Sequence, residues 1–383
     1  MGDERAVKGD LILVLNSGSS SLKFGVYYRG ASDEEPLLTG SADGIGRSNG
    51  SLRIRSAGGK VLLEREGGHE SQGQALSAVA EAMREHSDMP AAVVHRVVHG
   101  GPKLRTHQRI TPQVLEQLRA AIHFAPLHIP QALALIDSVQ QIFPSAAQFA
   151  CFDDAFHSTM PEVAARLPLP RSYFDAGIRR YGFHGLSYES LVNHFGPMMP
   201  RRAIFAHLGN GASLCALRDG ASIDTTMGLT PTGGILMGTR SGDLDPGVLL
   251  YLLRQEKFDA DRVEDLLTHQ SGLFALSGGE SDVKALDERA RANDPQASLA
   301  LDVFAIAVRK MIGAYVALLG GVDLLVFTGG IGEHSQRIRS AATAGLEGLG
   351  LTADKIQVVP AEEEQQMARH CRRMMNTSRV PLE

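Results

Sequence analysis

The chain has 383 residues, long enough for about two domains with cores of their own. Lys and Arg total 38 against 43 Asp and Glu; the formal net charge of -5 argues against a general nucleic-acid or anionic-membrane binder, though not against a local basic pocket for an anion. Residues 1–10 are charged and lack the apolar core of a signal peptide, no apolar run is long enough for a membrane span, and Cys151, Cys215 and Cys371 have neither metal nor redox spacing, so a cytoplasmic protein is expected.

LILVL at Leu11–Leu15, the polar turn NSGSSS at Asn16–Ser21 and LKFGVY at Leu22–Tyr27 read as a hairpin. Glycine, hydroxyls, backbone N–H groups and the point charge of Lys23 would suit its tip to a phosphate. An ordinary Ser-rich turn is the alternative. The turn is not a Walker A loop, because GxxxxGK[ST] is absent. Thr39–Gly50 reads as a polar connection, Leu52–Ile54 and Lys60–Leu63 as short strands, and Gln72–Glu85 as a helix. Ala92–Val94 starts a buried strand that runs into HRVVHGG at His95–Gly101. Pro112–Ala121 and Pro130–Val139 read as helices with proline in the first turn. Between them HFAPLHIP, His123–Pro130, reads as a structured loop. Ala147–Phe152 is a strand that delivers Asp153 and Asp154 at its end.

The second half repeats the scheme loosely. Arg202–Leu208 is a strand, GNGAS at Gly209–Ser213 a turn, and Leu214–Leu217 a strand again. Leu299–Leu319 is a long amphipathic helix feeding the strand Leu324–Thr328 and the glycine turn GGIGE at Gly329–Glu333. A helix at Ser335–Leu346, a strand at Ile356–Val359 and a helix at Glu362–Met374 complete the chain. Two strand–turn–strand hairpins suggest two related α/β domains facing each other across a cleft; one larger α/β domain is the alternative. The boundary is expected between Phe156 and Arg180, in the proline-bearing stretch PEVAARLPLPRSYFD.

Several residue types in these segments suit anion chemistry. A buried carboxylate is costly without a partner, so Asp153 and Asp154 call for a divalent cation, a basic side chain or backbone donors. Capping of the next loop is the alternative. Arg96 and Arg240, the latter in MGTRSGDLDP, keep their charge and offer a planar fork of donors; each is equally readable as a structural ion pair. His184 lies between glycines in RRYGFHGLS, which implies a tight, exposed turn, and His128 lies in APLHIP. An imidazole there suits a hydrogen bond to a transferring phosphoryl group. HExxH, Cys/His clusters and GxSxG are absent, which removes zinc-site and α/β-hydrolase readings. GNGAS and GGIGE suit nucleotide phosphate or ribose contacts, but neither matches GxGxxG opening a helix.

Eight blocks in order resemble the acetate kinase family: NSGSSSLKF, HRVVHGG, APLHIP, FDDAFHSTMP, RRYGFHGLS, HLGNGAS, GLTPTGGILMGTRSGDLDP and FTGGIGEHS. They span nearly the whole chain. The resemblance implies an α/β protein with the duplicated ribonuclease H-like fold of the actin, Hsp70 and sugar kinase superfamily, two domains and a central cleft. The domains would be residues 1–155 and 156–363, with a C-terminal helix at about 364–383 packing on the first. It also implies a homodimer and reversible, Mg²⁺-dependent phosphoryl transfer from ATP to acetate, giving acetyl phosphate and ADP, with Mn²⁺ as the alternative metal. A kinase for propionate or another short-chain acid, and a catalytically silent nucleotide binder of the same fold, are the alternatives.

Carried over by motif, Asn16 and Glu363 would hold the metal, Glu363 being placed within the run Glu362–Glu364. Arg96, Asp153, His184 and Arg240 would be catalytic. Arg96, Val98, Leu127, Phe183 and Pro231 would bind the acid, with His128 in support. Lys23, His207, Leu208, Gly209, Asn210, Gly211, Asp282, Val283, Lys284, Gly330, Ile331, Gly332, Glu333 and His334 would line the nucleotide site. The chain departs from the family pattern in the adenosine-side loop GGESDVKAL, Gly278–Leu286, where Lys284 replaces an arginine and loses its planar fork. His334 and Ile129 stand where asparagine is common.

Overall fold

The structure, a computed structural model, describes residues 11–18, 21–30, 35–47 and 49–377. Ser19 and Ser20 of the first turn, the charged residues 1–10 and the last six positions lie outside them. The chain divides into two compact units, one holding the residues up to Ala155 together with those from Glu362 onward, the other Phe156–Ala361.

In the first unit, β1 (Leu11–Ser17) and β2 (Ser21–Tyr28) pair antiparallel, with Asn16 opposite Lys23. The sheet continues antiparallel through β3 (Leu38–Asp43), β4 (Ser51–Ser56) and β5 (Val61–Glu66). On the other side of β1, β6 (Ala92–Val97) runs parallel to it. The short β7 (Gln108–Arg109) is antiparallel to β8 (Ala147–Phe152), which is parallel to β6. Leu11–Leu15 are all buried, as a central strand covered on both faces requires. Leu11, Leu13 and Leu15 pack with Leu76 and Val79 of α1 (Gln72–His86) and with Leu135 and Val139 of a later helix, Ile129–Ile142. Ser71 caps α1 by accepting from Gln74 N. Thr111 caps α2 (Pro112–Ala120) in the same way, with Pro112 in its first turn; the Ile129–Ile142 helix is α3. Thr39–Asp43, expected as a loop, belongs to β3. The backbone ladder to β2 and β4 outweighs the low strand propensity of its small polar residues.

The second unit begins with short helices α4 (Glu162–Ala165) and α5 (Arg171–Asp175) in the proline-bearing stretch, then α6 (Gly185–Phe195). Its sheet starts from β9 (Arg202–Leu208), β10 (Ala212–Arg218) and β11 (Ala221–Thr225), with β10 antiparallel to both β9 and β11. Four helices with no counterpart in the sequence reading follow: α7 (Pro246–Arg254), α8 (Ala260–His269), α9 (Gly272–Leu276) and α10 (Val283–Arg291). The long α11 (Pro295–Leu319) is capped by Asp294 and ends on left-handed Gly320. β12 (Leu324–Thr328) runs parallel to β9 and leads into α12 (Gly329–His334), α13 (Gln336–Thr343) and the edge strand β13 (Ile356–Val358), parallel to β12.

Three expectations are corrected here. GGIGE is not a turn but the body of α12. Gly329, at φ +77°, makes the sharp entry; a Cβ there would lie 2.8 Å from Leu208 O. The adenosine-side segment is not wholly loop, because Val283–Leu286 form the first turn of α10, with Asp282 as its cap. His184 is not in an exposed turn. It is the buried, left-handed N-cap of α6.

The chain ends in α14 (Glu363–Thr377), which belongs to the first unit and packs on β1, β2, β6 and β8. The two sheets share one plan. In both, β3-β2-β1-β6-β8 and β11-β10-β9-β12-β13, two antiparallel strands flank a central strand on one side and two parallel strands on the other. This is the duplicated ribonuclease H-like α/β fold that the resemblance implies.

Candidate functional site

The polar residues singled out in the sequence form one set in each unit. The first set gathers where β1, β6 and β8 end beside the start of α14. Asn16 is the last buried residue of β1, and its amide donates to Glu363 Oε2 at 2.9 Å and to Glu364 Oε1 at 2.7 Å. Arg96, from β6, donates to Asp153 Oδ2 and reaches Asn16 Oδ1 at 3.4 Å. Asp153 follows β8 directly and is almost fully buried. Its charge therefore has the basic partner that a buried carboxylate requires. Asp154 lies beside His99, and both are fully buried.

Electrostatics bind this set together. Burial alone would lower the Arg96 pKa, but the carboxylates of Asp153, Glu363 and Glu364 more than reverse that and hold it above the ordinary arginine value. Burial and the adjacent charge of Glu363 raise the Glu364 pKa, while the bond from Asn16 and the charge of Lys23 work the other way. Two neighbouring carboxylates beside an amide oxygen are a hard-oxygen donor set. A divalent cation would relieve the repulsion within it, so the residues fit such a metal. Lys23 of β2 is exposed, Val98 is half-buried and Leu127 is exposed.

The second set surrounds the turn between β9 and β10. His184 Nδ1 bonds Ser213 Oγ at 2.8 Å, and the same oxygen bonds Tyr188 OH at 2.6 Å. The His184 ring stacks on His207 at 4.2 Å, and His207 Nδ1 bonds Ser187 Oγ at 2.9 Å. Arg240 donates from Nη1 to Pro231 O at 3.0 Å. A Cβ on Gly211 would lie 3.2 Å from His184 Nε2 and 3.4 Å from Arg240 Nη1, so both nitrogens border the space that this glycine leaves open. Gly238 N donates to Asn210 O, holding the Arg240 loop against the turn. Phe183 and Pro231 are buried nearby in sequence.

The remaining nucleotide-side candidates divide by environment. Leu208 is buried and its carbonyl meets Gly329 closely; Gly209 N donates to Gly211 O. Gly330 and His334 are exposed, Ile331 is half-buried and Gly332 buried. Glu333 accepts from Gly329 N and Ala361 N, which ties the start of α12 to Ala361. Asp282 accepts from Ala285 N as a helix cap, Val283 is buried in the core, and Lys284 is exposed. The sequence reading did not single out Glu364, Tyr188 or Ser213. Glu364 is hidden by the uniform EEE run; Ser213 ends the HLGNGAS block and Tyr188 directly follows RRYGFHGLS, and neither carries a type-specific signal.

The Acetokinase family model matches residues 11–380. The acetate kinase of Methylocella silvestris is 38% identical over 94% of this chain and 96% of its own length. Among solved structures, Porphyromonas gingivalis acetate kinase matches at TM-score 0.83 and 32% identity, over 96% of this chain and all of its own. A propionate kinase from Francisella tularensis matches at TM-score 0.85 and 34% identity, over 94% of this chain and 98% of its own.

Proposed function

Because the chain belongs to the acetokinase family, we propose that it is an acetate kinase, a phosphotransferase that moves the γ-phosphoryl group of ATP onto acetate. The observation that carries the reading is the meeting of His184 Nε2 and Arg240 Nη1 at Gly211. A charged fork and an imidazole bordering the same open space suit the equatorial oxygens of a phosphoryl group in flight.

A carboxylate is already an anionic nucleophile and needs little help from a base. One acetate oxygen forms the new bond to phosphorus while the bond to the β-phosphate oxygen breaks, and ADP leaves with that electron pair. The task is to bring two anions together and hold them in line. Arg96 and Arg240 are assigned the carboxylate and the transferring group, and His184 donates to the latter. Asp153, through its pair with Arg96, orients that guanidinium. Lys23, Asn210 and the His207–Gly211 turn are assigned to the nucleotide phosphates, and Gly330–His334 with Asp282–Lys284 to the nucleoside side. Val98, Leu127, Phe183 and Pro231 would surround the methyl group. Mg²⁺, with Mn²⁺ as the alternative, would be held by Asn16 and Glu363 with Glu364, and when bound supplies positive charge to the phosphates.

The reading includes a homodimer. The helix α7 supports it: all its residues lack full burial, and Val248, Leu250, Tyr251 and Leu253 are each at least 40% exposed. Light scattering across protein concentration tests the dimer. The reading includes a cytoplasmic location; among the described residues no helix is long and apolar enough to cross a membrane.

A propionate kinase is the second reading, supported by the likeness to the Francisella structure. Trapping acyl phosphate as hydroxamate, with acetate, propionate and butyrate crossed against ATP, GTP and pyrophosphate in Mg²⁺, tests both. The highest kcat/KM is expected with acetate and ATP. Product from no pair would sink the kinase reading and favour a silent nucleotide binder.

A further inference from the structure

Two hydrogen bonds meet at Ser213 Oγ, one shared with Tyr188 OH and one with His184 Nδ1. A serine hydroxyl has one proton, and each bond needs one. We propose that Tyr188 and Ser213 are positioning residues that hold His184 as a neutral imidazole with its proton on Nε2. The inference deepens the assignment of His184 as donor to the phosphoryl group and rests on it.

The order of protons follows from acidity. The phenol is the most acidic neutral group of the three, and the imidazole nitrogen is the most basic. Tyr188 therefore donates to Ser213, and Ser213 donates to His184 Nδ1. With Nδ1 accepting, the neutral ring carries its proton on Nε2, the atom that borders the space at Gly211.

The surroundings disfavour a second proton. His184 is the N-cap of α6, an eleven-residue helix whose positive pole opposes a cation there. The ring is buried. His207 stacks on it, and Arg240 presents its permanent charge at the same glycine. Geometry needs fixing as well. The backbone of His184 is left-handed, at φ 60° and ψ 24°, a conformation that residues with a Cβ rarely adopt. The bond to Ser213 and the stack on His207 set the ring's aim from that unusual start. Because a neutral Nε2–H donates without adding charge, His184 complements Arg240 rather than repelling it.

The test combines spectroscopy with kinetics. Long-range ¹H–¹⁵N spectra of ¹⁵N-histidine-labelled full-length protein, with His184 assigned from the His184→Gln spectrum, report which ring nitrogen is protonated. The expected wild-type state is neutral, with Nε2 protonated and Nδ1 bare. Ser213→Ala is expected to mix the tautomers and to lower kcat about 10- to 100-fold, with KM for ATP and acetate changed less than about threefold. Ser213→Thr keeps the hydroxyl and is expected to restore both the tautomer and most of kcat. A protonated Nδ1 in the wild type, or an undiminished kcat in Ser213→Ala, overturns the proposal. If the wild type makes no acyl phosphate yet shows the Nε2–H ring, the kinase reading fails alone and the proton order is supported.

Discussion

Asn16 donates its side-chain amide to Glu363 across 347 positions of sequence, at 2.9 Å. The bond joins the end of the first strand to the start of the last helix, and it places two carboxylates beside Arg96. Removing charge from this set without changing its shape isolates its role. Glu363→Gln is expected to raise the Mg²⁺ concentration for half-maximal activity about 10- to 100-fold. Glu364→Gln should do likewise, because Asn16 holds both carboxylates. An unchanged Mg²⁺ dependence in both variants would take the metal away from this set.

Gly211 is open to a sharper test. It has no positive φ that would strain a larger residue, so Gly211→Ala acts through space alone. Its methyl would come within 3.2 Å of His184 Nε2 and 3.4 Å of Arg240 Nη1. The expected outcome is a kcat lowered by about 10-fold or more with the thermal midpoint little changed, because displaced donors lose alignment while the turn keeps its backbone. Wild-type turnover in this variant would show that the space beside Gly211 is not used.

Arg240 presents Nη1 at Gly211, beside His184 Nε2. Its Nη1 bonds a backbone carbonyl at Pro231. Arg240→Ala is expected to lower kcat by about two to four orders of magnitude. Arg240→Lys should recover only part of the loss, since an ammonium keeps charge but lacks the planar fork. Near-normal turnover of the alanine variant would refute the assigned role.

The elements legible in the sequence are those whose stability is written locally. LILVL and LLVFT are apolar runs of interior strands, and the Pro295–Leu319 helix has a cap, a periodic core face and a terminal glycine. β3 was not legible, because LTGSAD gains its order from ladders on both sides. α10 reads as polar loop, yet Asp282 caps it and Val283 and Leu286 anchor it in the core. Candidate side chains were legible by type, through Arg96, Asp153, His184 and Arg240. Their partners were not. Nothing local in EEE says that two of its carboxylates meet Asn16, and glycines around His184 suggest exposure where the fold supplies burial.

His95 gives a prediction about stability rather than catalysis. It is buried in β6, its Nε2 bonds Gln148 Oε1 at 2.8 Å, and burial lowers its pKa from 6.5 to about 4 despite that bond. The unfolded chain therefore binds this proton more readily than the folded one. The neutral ring's contribution is intact above pH 6.5, declines as pH falls, and is lost by about pH 4. The shift corresponds to about 3 kcal/mol in all, of which roughly 2 kcal/mol is gone by about pH 4.5. His95→Gln cannot titrate and can still bond Gln148. Hydrogen exchange of the β6 amides, compared at about pH 7.5 and pH 4.5 after correction for intrinsic rates, should show the wild type losing roughly 2 kcal/mol more protection than the variant. Equal losses in the two proteins would mean that the proton taken up on opening of this strand is not the one on His95.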